Sequence, residues 1–198
     1  MGQRRHSTNH NLSNVTCLKR DVMIPARVGQ GKNTNSATDA RESAMGNKEE
    51  NFKATLEWTP LGQAFTIKEY ARQYIVRIPG KPDFIGTAAP GYMGSPYHYN
   101  PEDLLVASLS ACHMLTYLAY AAGSKVHVVS YQDEADGILA LDGKIMKFRE
   151  VTLRPKIKIT KDSSLDKARE LHDRAHHACF IANSVNFPIK IEPQFEVE

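Results

Sequence analysis

The amino-acid sequence predicts an α+β fold in which helices pack on antiparallel sheet. Short β-prone runs occur in hairpin-like groups, and only two long segments have helical periodicity. The predicted order is three strands, a helix, two strands, a helix and a last strand. A parallel sheet would require strands and helices to alternate regularly, so this order favours α+β.

The regular part of the chain begins with three β-prone runs separated by charged or Gly/Pro-containing turns. They are predicted as strands over Lys53–Trp58, Ala64–Lys68 and Gln73–Ile78. A loop rich in proline and glycine follows, over residues 79–96.

The longest predicted helix begins after Asn100 and ends at Gly123. Asn100 is a preferred N-cap residue, Pro101 suits the first helical position, and Asp103 has the spacing of a capping partner. Apolar residues occupy nearly every face of this helix. We therefore expect it to be covered by its own sheet and by a second subunit.

Strand patterns return after Gly123 and end in a second helix and a last strand. Val126–Leu141 and Ile145–Ile159 flank the hairpin signal Asp142-Gly143, and Pro155 predicts an edge strand or bulge. Ser163 is expected to cap the second helix, and Ile189–Val197 is the last predicted strand. The apolar stripe of the second helix consists of Leu165, Ala168, Leu171, Ala175 and Ala178.

The bulk composition is that of a globular domain. The 198 residues are 41% hydrophobic without a continuous apolar run of membrane-spanning length, so we expect no membrane span. Residues 1–44 hold seven Lys or Arg against three Asp or Glu, which accounts for the formal net charge of +3. The rest of the chain is nearly neutral, which does not support nucleic-acid binding.

Residues 1–50 differ from the rest because they are rich in Asn, Ser, Thr, Arg and Gly and lack apolar periodicity. No apolar stretch follows the basic start, which disfavours a secretory signal. We expect a disordered extension or an organelle targeting segment over residues 1–50, a folded domain over residues 51–198, and a cytoplasmic protein.

Two of the three cysteines lie in the predicted domain. Cys112 is on the long apolar helix and Cys179 is at the end of the second helix, whereas Cys17 lies in the extension. This number of cysteines does not make a small secreted disulfide scaffold. Buried thiols on helices are commonly inert core residues. A fold that places the two thiols side by side makes them a redox pair instead.

Two segments resemble the OsmC/Ohr family of organic hydroperoxide reductases. The family's first-cysteine helix is similar to the stretch from Asn100, Asn-Pro-Glu-Asp-Leu-Leu-Val-Ala-Ser-Leu-Ser-Ala-Cys-His-Met-Leu-Thr-Tyr-Leu. Its second-cysteine motif is similar to the stretch from His177, His-Ala-Cys-Phe-Ile-Ala-Asn-Ser-Val-Asn-Phe. The resemblance covers residues 53–198 and departs at Cys179-Phe, where many members have Cys-Pro.

The resemblance implies an OsmC-like α+β fold and an obligate, intertwined homodimer with two active sites at the subunit interface. It also implies reduction of organic hydroperoxides and hydrogen peroxide by a cysteine pair. A thiolate attacks the peroxide and becomes a sulfenic acid, and a second thiol condenses with that acid to a disulfide. Cys112 is then the peroxidatic residue and Cys179 the resolving residue.

The resemblance further implies a glutamate ten residues before the first cysteine and an arginine in the N-terminal strands. Glu102 and Arg72 fit, with Arg77 as the alternative arginine. Arginine stabilises a thiolate, and a carboxylate holds the guanidinium. Ten helical residues span about 15 Å, so Glu102 cannot touch Cys112 of its own chain. Either Arg72 spans the gap, the helix is broken, or the dimer completes the site.

Other polar and aromatic residues have competing interpretations. His176, His177 and Cys179 do not have the spacing of a known zinc knuckle, so no metal is expected. His113 is expected to be partly buried, and its positive charge would favour the neighbouring thiolate. Four loop residues either wall a hydroperoxide pocket or anchor the loop: Tyr92, Met93, Tyr97 and Tyr99.

The sequence thus predicts a thiol-dependent peroxidase for organic hydroperoxides that needs no cofactor. Its expected partners are a second copy of the chain and a dithiol reductant. A lipoyl protein, which the resemblance favours, thioredoxin and glutathione are the candidate reductants. The alternative is a non-enzymatic dimer of the same fold that binds an apolar small molecule or senses oxidants through the same disulfide.

A chain that begins at Met45 should keep the oligomeric state, Tm and activity of the full chain. The reason is that residues 1–50 have no apolar face to add to a core. Light scattering, thermal unfolding and a peroxide assay on both chains test this. A Tm that drops by many degrees on truncation would show that the extension packs on the domain.

Overall fold

Residues 49–198 are described by the computed structural model, so most of the predicted extension lies outside the described residues. The described part begins with a small antiparallel sheet of order β1-β2-β3. Its strands are β1 (Thr55–Glu57), β2 (Tyr74–Arg77) and β3 (Phe84–Gly86). A single turn of 3₁₀ helix over Pro90–Tyr92 lies in the loop that follows.

The long helix α1 spans Pro101–Gly123, as the sequence predicts. Asn100 caps it: the side-chain oxygen accepts the backbone N–H of Asp103 at 2.8 Å, and the amide nitrogen donates to the Asp103 carboxylate at 2.7 Å. One face of α1 is buried along Leu109, His113, Tyr117 and Ala121. Much of the remaining surface of this apolar helix is exposed in the single chain.

Helix α1 is also long and apolar enough, by length and composition, to cross a membrane. Its buried face packs on α2 (Leu165–Ala178) and on the strands that follow α1, which is the position of a core helix.

Two three-stranded sheets complete the fold and contain both antiparallel and parallel pairs. One has the order β4-β7-β9 and the other β5-β6-β8, and in each sheet the last pair is parallel. The strands are β4 (Val128–Asp133), β5 (Asp136–Asp142), β6 (Ile145–Leu153), β7 (Pro155–Ile159), β8 (Ile189–Ile191) and β9 (Gln194–Val197). The predicted α+β class is confirmed, with mixed rather than purely antiparallel sheets.

Each sheet covers one half of α1. The β4-β7-β9 sheet and Leu171 of α2 enclose Tyr117 and Ala121 in the C-terminal half of α1. The β5-β6-β8 sheet supplies Val151 and Leu153, which pack with Leu109 of α1. The two sheets therefore fix the position of α1, and with it Cys112, relative to α2.

The structure differs from the predicted strands where turns interrupt an apolar pattern. Ala64–Lys68 forms turns and loop instead of a strand, and β3 lies in the predicted loop. The three long predicted strands after α1 are each divided in two, at residues 134–135, 154 and 192–193. The hairpin at Asp142-Gly143 is confirmed, with Gly143 at a φ of +63°.

Two local predictions at element ends are wrong. Pro155 is the first residue of β7, a central strand, where the missing N–H costs no hydrogen bond within the ladder. The cap of α2 is Ser164, whose hydroxyl accepts the N–H of Lys167. The hydroxyl of Ser163 instead accepts the N–H of His127 at 2.8 Å.

Candidate active site

Cys112 and Cys179 lie side by side where α1 meets α2. Cys112 is half-buried on α1, and Cys179 is the first residue after α2 and only 1% exposed. Their side chains are near enough to interact by hydrogen bonding, and neither is in a disulfide. The structure therefore brings together two residues that are 67 positions apart in the sequence.

The surroundings of Cys179 keep its sulfur protonated. Burial, followed by the neighbouring Cys112 side chain, raises the pKa of Cys179 to about 11. The backbone N–H groups of Ala182 and Ile181 act in the opposite direction, and that of Ala182 lies 3.5 Å from the sulfur. Burial has the larger effect, so Cys179 is a thiol at neutral pH.

A pair of buried histidines joins the two helices next to the cysteines. His113 Nε2 and His172 Nδ1 are 3.0 Å apart, and the rings stack with centroids separated by 5.3 Å. His172 also stacks on Tyr117 at 4.2 Å. Burial lowers the pKa of His113 to about 4 and that of His172 to about 3. Both rings are therefore neutral at neutral pH, with one donating an N–H to the other.

His113 therefore carries no positive charge at neutral pH, contrary to the sequence expectation that its charge favours the Cys112 thiolate. The ring is 1% exposed and packs on another imidazole, so water cannot stabilise an imidazolium there. A positive charge near Cys112 would therefore have to come from another group.

Arg72 is held by the loop between β1 and β2. Its terminal nitrogens donate to the carbonyl groups of Tyr70 and Ile67 at 2.5 and 2.6 Å, and its guanidinium lies over the Tyr70 ring. Arg72 Nε is buried and has no hydrogen-bond partner among residues 49–198. An unpaired buried donor is costly, so this N–H is suited to an acceptor that residues 49–198 of one chain do not supply.

Glu102 faces the same cavity as Arg72. The cavity has a volume of about 460 Å³ and is lined mainly by aromatic rings and small residues: Trp58, Tyr70, Ala71, Tyr74, Thr87, Ala88, Ala89, Tyr92 and Pro101. Oε2 of Glu102 is buried and also lacks a partner within the described part of the chain. Burial and the charge of Glu102 raise the pKa of Tyr74. One unpaired donor and one unpaired acceptor thus share a largely apolar cavity.

In one chain the two cysteines lie apart from the cavity that Arg72 and Glu102 line. The lining of the cavity does not include Cys112 or Cys179. Helix α1 runs without a break from Pro101 to Gly123, so the broken-helix alternative is wrong, and about 15 Å of helix separates Glu102 from Cys112. A groove of about 840 Å³ follows α1 from Glu102 to Met114.

Comparisons with known proteins agree with this architecture. Residues 94–194 match the family model for OsmC-like proteins. The chain belongs to the OsmC-like family. A crystallised OsmC-like protein from Vibrio cholerae is 32% identical, with a TM-score of 0.69 over 73% of this chain and 99% of the Vibrio chain. The family resemblance predicted from the two cysteine segments is thereby confirmed.

Other relatives are more distant. An organic hydroperoxide resistance protein from Elizabethkingia anophelis is 19% identical, with a TM-score of 0.58 over 77% of this chain and 99% of the other. An uncharacterised protein of Bacillus subtilis is 22% identical over 102 residues, which is 50% of this chain and 68% of that protein. At this identity the Elizabethkingia comparison shows a shared fold.

Most of the other residues singled out in the sequence make contacts away from the two cysteines. Arg77 forms ion pairs with Glu57 and Asp83 on the surface of the small sheet. Tyr92 lines the cavity, whereas Tyr97 is 90% exposed and Tyr99 packs edge-on against Phe84. Met93 Sδ lies 3.8 Å from Arg72. Among residues 49–198 no group of three His, Cys, Asp or Glu side chains is arranged to hold a metal ion.

Two residues near the cysteines were not anticipated from the sequence, His172 and Asn183. His172 lies one turn before His176 and seven residues before Cys179, on the buried stripe of α2. This helical spacing is a signal that was available in the sequence. Asn183 follows Cys179 by four residues, and its three hydrogen bonds depend on a turn that residue order does not reveal.

The buried histidine pair should make the fold sensitive to acid. Because the folded-state pKa values lie below the ordinary value, the unfolded chain binds protons first as pH falls. The free energy of unfolding should decrease as pH falls from about 6.5 to about 3, through the folded-state pKa of His113 at about 4 and that of His172 at about 3, and be fully retained above that window. For each histidine, the loss of unfolding free energy cannot exceed about 1.4 kcal/mol per unit by which its folded-state pKa lies below its unfolded-state pKa.

Denaturant unfolding at a series of pH values measures this loss. The double variant His113→Leu/His172→Phe, which keeps an aromatic ring on Tyr117, should show a much flatter profile in the same window. The control His127→Gln alters an exposed histidine and should keep the wild-type slope. If the unfolding free energy of the double variant fell with pH as steeply as that of the wild type, the histidine pair would not be the cause of the acid sensitivity.

Proposed function

We propose that this protein is a thiol-dependent peroxidase that reduces organic hydroperoxides to alcohols, with Cys112 peroxidatic and Cys179 resolving. The observation that carries the proposal is the pairing of a half-buried and a fully buried thiol at the junction of α1 and α2. Membership of a family that includes organic hydroperoxide resistance proteins supports the same reaction.

In the first step the Cys112 thiolate attacks the terminal oxygen of the hydroperoxide. An S–O bond forms, the O–O bond breaks, and the leaving alkoxide takes a proton to become the alcohol. Cys112 is then a sulfenic acid. Cys179 does not compete for the peroxide, because its raised pKa leaves almost no thiolate at neutral pH.

In the second step the Cys179 sulfur displaces the hydroxyl of the sulfenic acid. The S–S bond forms, the S–O bond breaks, and the thiol proton leaves with the hydroxyl as water. A dithiol reductant then restores both cysteines and becomes a disulfide itself. All electrons pass through sulfur, so the proposed cycle uses no bound cofactor.

Arg72 and Glu102 are proposed to act on Cys112 of a second subunit. Each has a buried atom without a partner in the described chain. The intact helix keeps Glu102 from the cysteine of its own chain, and the terminal nitrogens of Arg72 are bonded to carbonyl groups of its own loop. Leu104, Ala107, Ala111 and Leu115 form an exposed apolar face on α1, which a two-fold interface would cover. The guanidinium would then stabilise the thiolate, with Glu102 holding it in place.

The aromatic cavity beside Glu102 is the proposed site for the organic part of the hydroperoxide. Its walls are apolar rings, and its two unpaired polar atoms can accept from and donate to the peroxide oxygens. The same cavity is what favours the second candidate function, a dimer that binds an apolar small molecule.

Cys112→Ser should abolish peroxide consumption, whereas Cys179→Ser should complete one turnover and then accumulate sulfenic or sulfinic acid at Cys112. Mass spectrometry after one equivalent of cumene hydroperoxide, and steady-state assays with dihydrolipoamide, thioredoxin or glutathione, measure these outcomes. Cys17→Ser is the matched control and should behave as wild type. Sustained wild-type turnover by Cys179→Ser would exclude Cys179 as the resolving residue.

A wild-type protein that consumes one equivalent and then stops with every reductant would favour the oxidant sensor. A protein that does not react at all, yet binds apolar molecules, would favour the small-molecule carrier. Either result would contradict the peroxidase.

The shared site can be tested by subunit complementation. Homodimers of Cys112→Ser and of Arg72→Ala should both be impaired, but a co-expressed heterodimer contains one site with Cys112 from one chain and Arg72 from the other. It should therefore recover about half of the wild-type activity. Arg77→Ala replaces Arg72→Ala in the control pairing, and its homodimer should already be active.

Light scattering at low micromolar concentration accompanies this test and should give about twice the chain mass of 22.1 kDa. A fully active monomer, or a heterodimer no more active than the Arg72→Ala homodimer, would rule out a site shared between subunits.

A further inference from the structure

Asn183 stabilises the turn that begins at Cys179. Its side-chain Nδ2 donates to the carbonyl oxygens of Cys179 and His177, at 3.0 and 2.9 Å. Its backbone N–H donates to the same Cys179 carbonyl at 3.0 Å. Three hydrogen bonds thus connect Asn183 to Cys179 and to the last turn of α2.

The turn needs hydrogen bonds from outside the helix because α2 ends at Cys179. Carbonyl groups in the last turn of a helix lack intrahelical partners, and Asn183 satisfies that of His177. Cys179 has extended backbone angles, φ −73° and ψ 115°, so the chain leaves the helix there. The next side chain, Phe180, is 70% exposed and does not anchor the turn.

The same turn sets the position of the Cys179 sulfur. Residues 182–184 form a single 3₁₀ turn, and the N–H of Ala182 points at Cys179 Sγ from 3.5 Å. The sulfur is therefore held between this turn on one side and the Cys112 side chain on the other. A displacement of the turn would move the sulfur away from Cys112.

We propose that Asn183 is a positioning residue for formation of the Cys112–Cys179 disulfide. It touches neither peroxide nor reductant, and it acts by keeping the two sulfurs at a high effective concentration. Its role in a peroxide cycle rests on the proposed function, but its effect on the disulfide requires only the two thiols.

The direct test is a thiol–disulfide equilibrium with glutathione, which needs no peroxidase activity. Oxidised glutathione accepts two electrons from the cysteines and is released as two reduced molecules, while the protein disulfide forms. Asn183→Ala and the isosteric Asn183→Asp, which lacks the amide donor, should lower the effective concentration of the two thiols about tenfold. Alkylation of Cys112 in the reduced proteins should proceed at the wild-type rate.

Ser184→Ala is the matched control. The Ser184 hydroxyl donates to the Phe180 carbonyl at 2.8 Å in the same turn but touches neither Cys179 nor His177. In this variant the effective concentration of the two thiols should stay within about twofold of the wild-type value, which is the size of effect expected from losing one exposed hydrogen bond. All measurements are made well below the Tm of each variant, so that only folded protein is compared.

A second readout follows the fate of the sulfenic acid. Under excess peroxide the Asn183 variants should form sulfinic acid at Cys112 at lower peroxide concentration than wild type or Ser184→Ala, because resolution is slower. Asn183 variants with a lower Tm but the wild-type glutathione equilibrium would make Asn183 only a helix cap and overturn the proposal. A wild-type protein without peroxide turnover, together with the expected shift of the glutathione equilibrium in the Asn183 variants, would instead contradict the peroxidase alone.

Discussion

The packing of α2 on α1 across the histidine pair is the contact on which the candidate site depends. His113 follows Cys112 directly, and His172 lies seven residues before Cys179, so their 3.0 Å contact fixes the rotation of both helices about their axes. The stack continues onto Tyr117, which is fully buried. Polar groups in a core are specific in their geometry because each must meet its partner. The two thiols are neighbours because the helices that carry them have little freedom to slide.

Burial at this contact also makes the two thiols unequal. Removing Cys179 from water disfavours its thiolate, whereas Cys112 is only half-buried. The histidines stay neutral for the same reason, so they add no cation to the site. Because the buried histidines are uncharged, a cation near Cys112 would have to come from a more distant group. Arg72 is the candidate because it keeps an unused N–H in a buried position.

The length of α1 is a second constraint, and it acts between subunits. An unbroken helix of 23 residues holds Glu102 and Cys112 apart by about three turns, whatever side-chain rotamers they adopt. Placing the carboxylate near a thiolate without bending the helix requires a second copy, related by symmetry. The exposed apolar face of α1 gives an independent physical reason for such a copy, because water is a poor solvent for it. One feature of the sequence, a long helix without a polar face, thus underlies both the catalytic and the assembly proposals.

The sequence by itself determined the α+β class, both bounds of α1, the hairpin at Gly143 and the family, because caps, turns and cysteine motifs are local signals. It also identified both cysteines and the distance problem at Glu102. Only the tertiary structure decided that β7 is a central strand, that His113 is neutral and that Asn183 holds Cys179. Each of these depends on which surfaces meet. The parallel pairing of β7 with β9 is long-range, burial is the largest cause of the lowered pKa of His113, and the bonds of Asn183 require a completed turn.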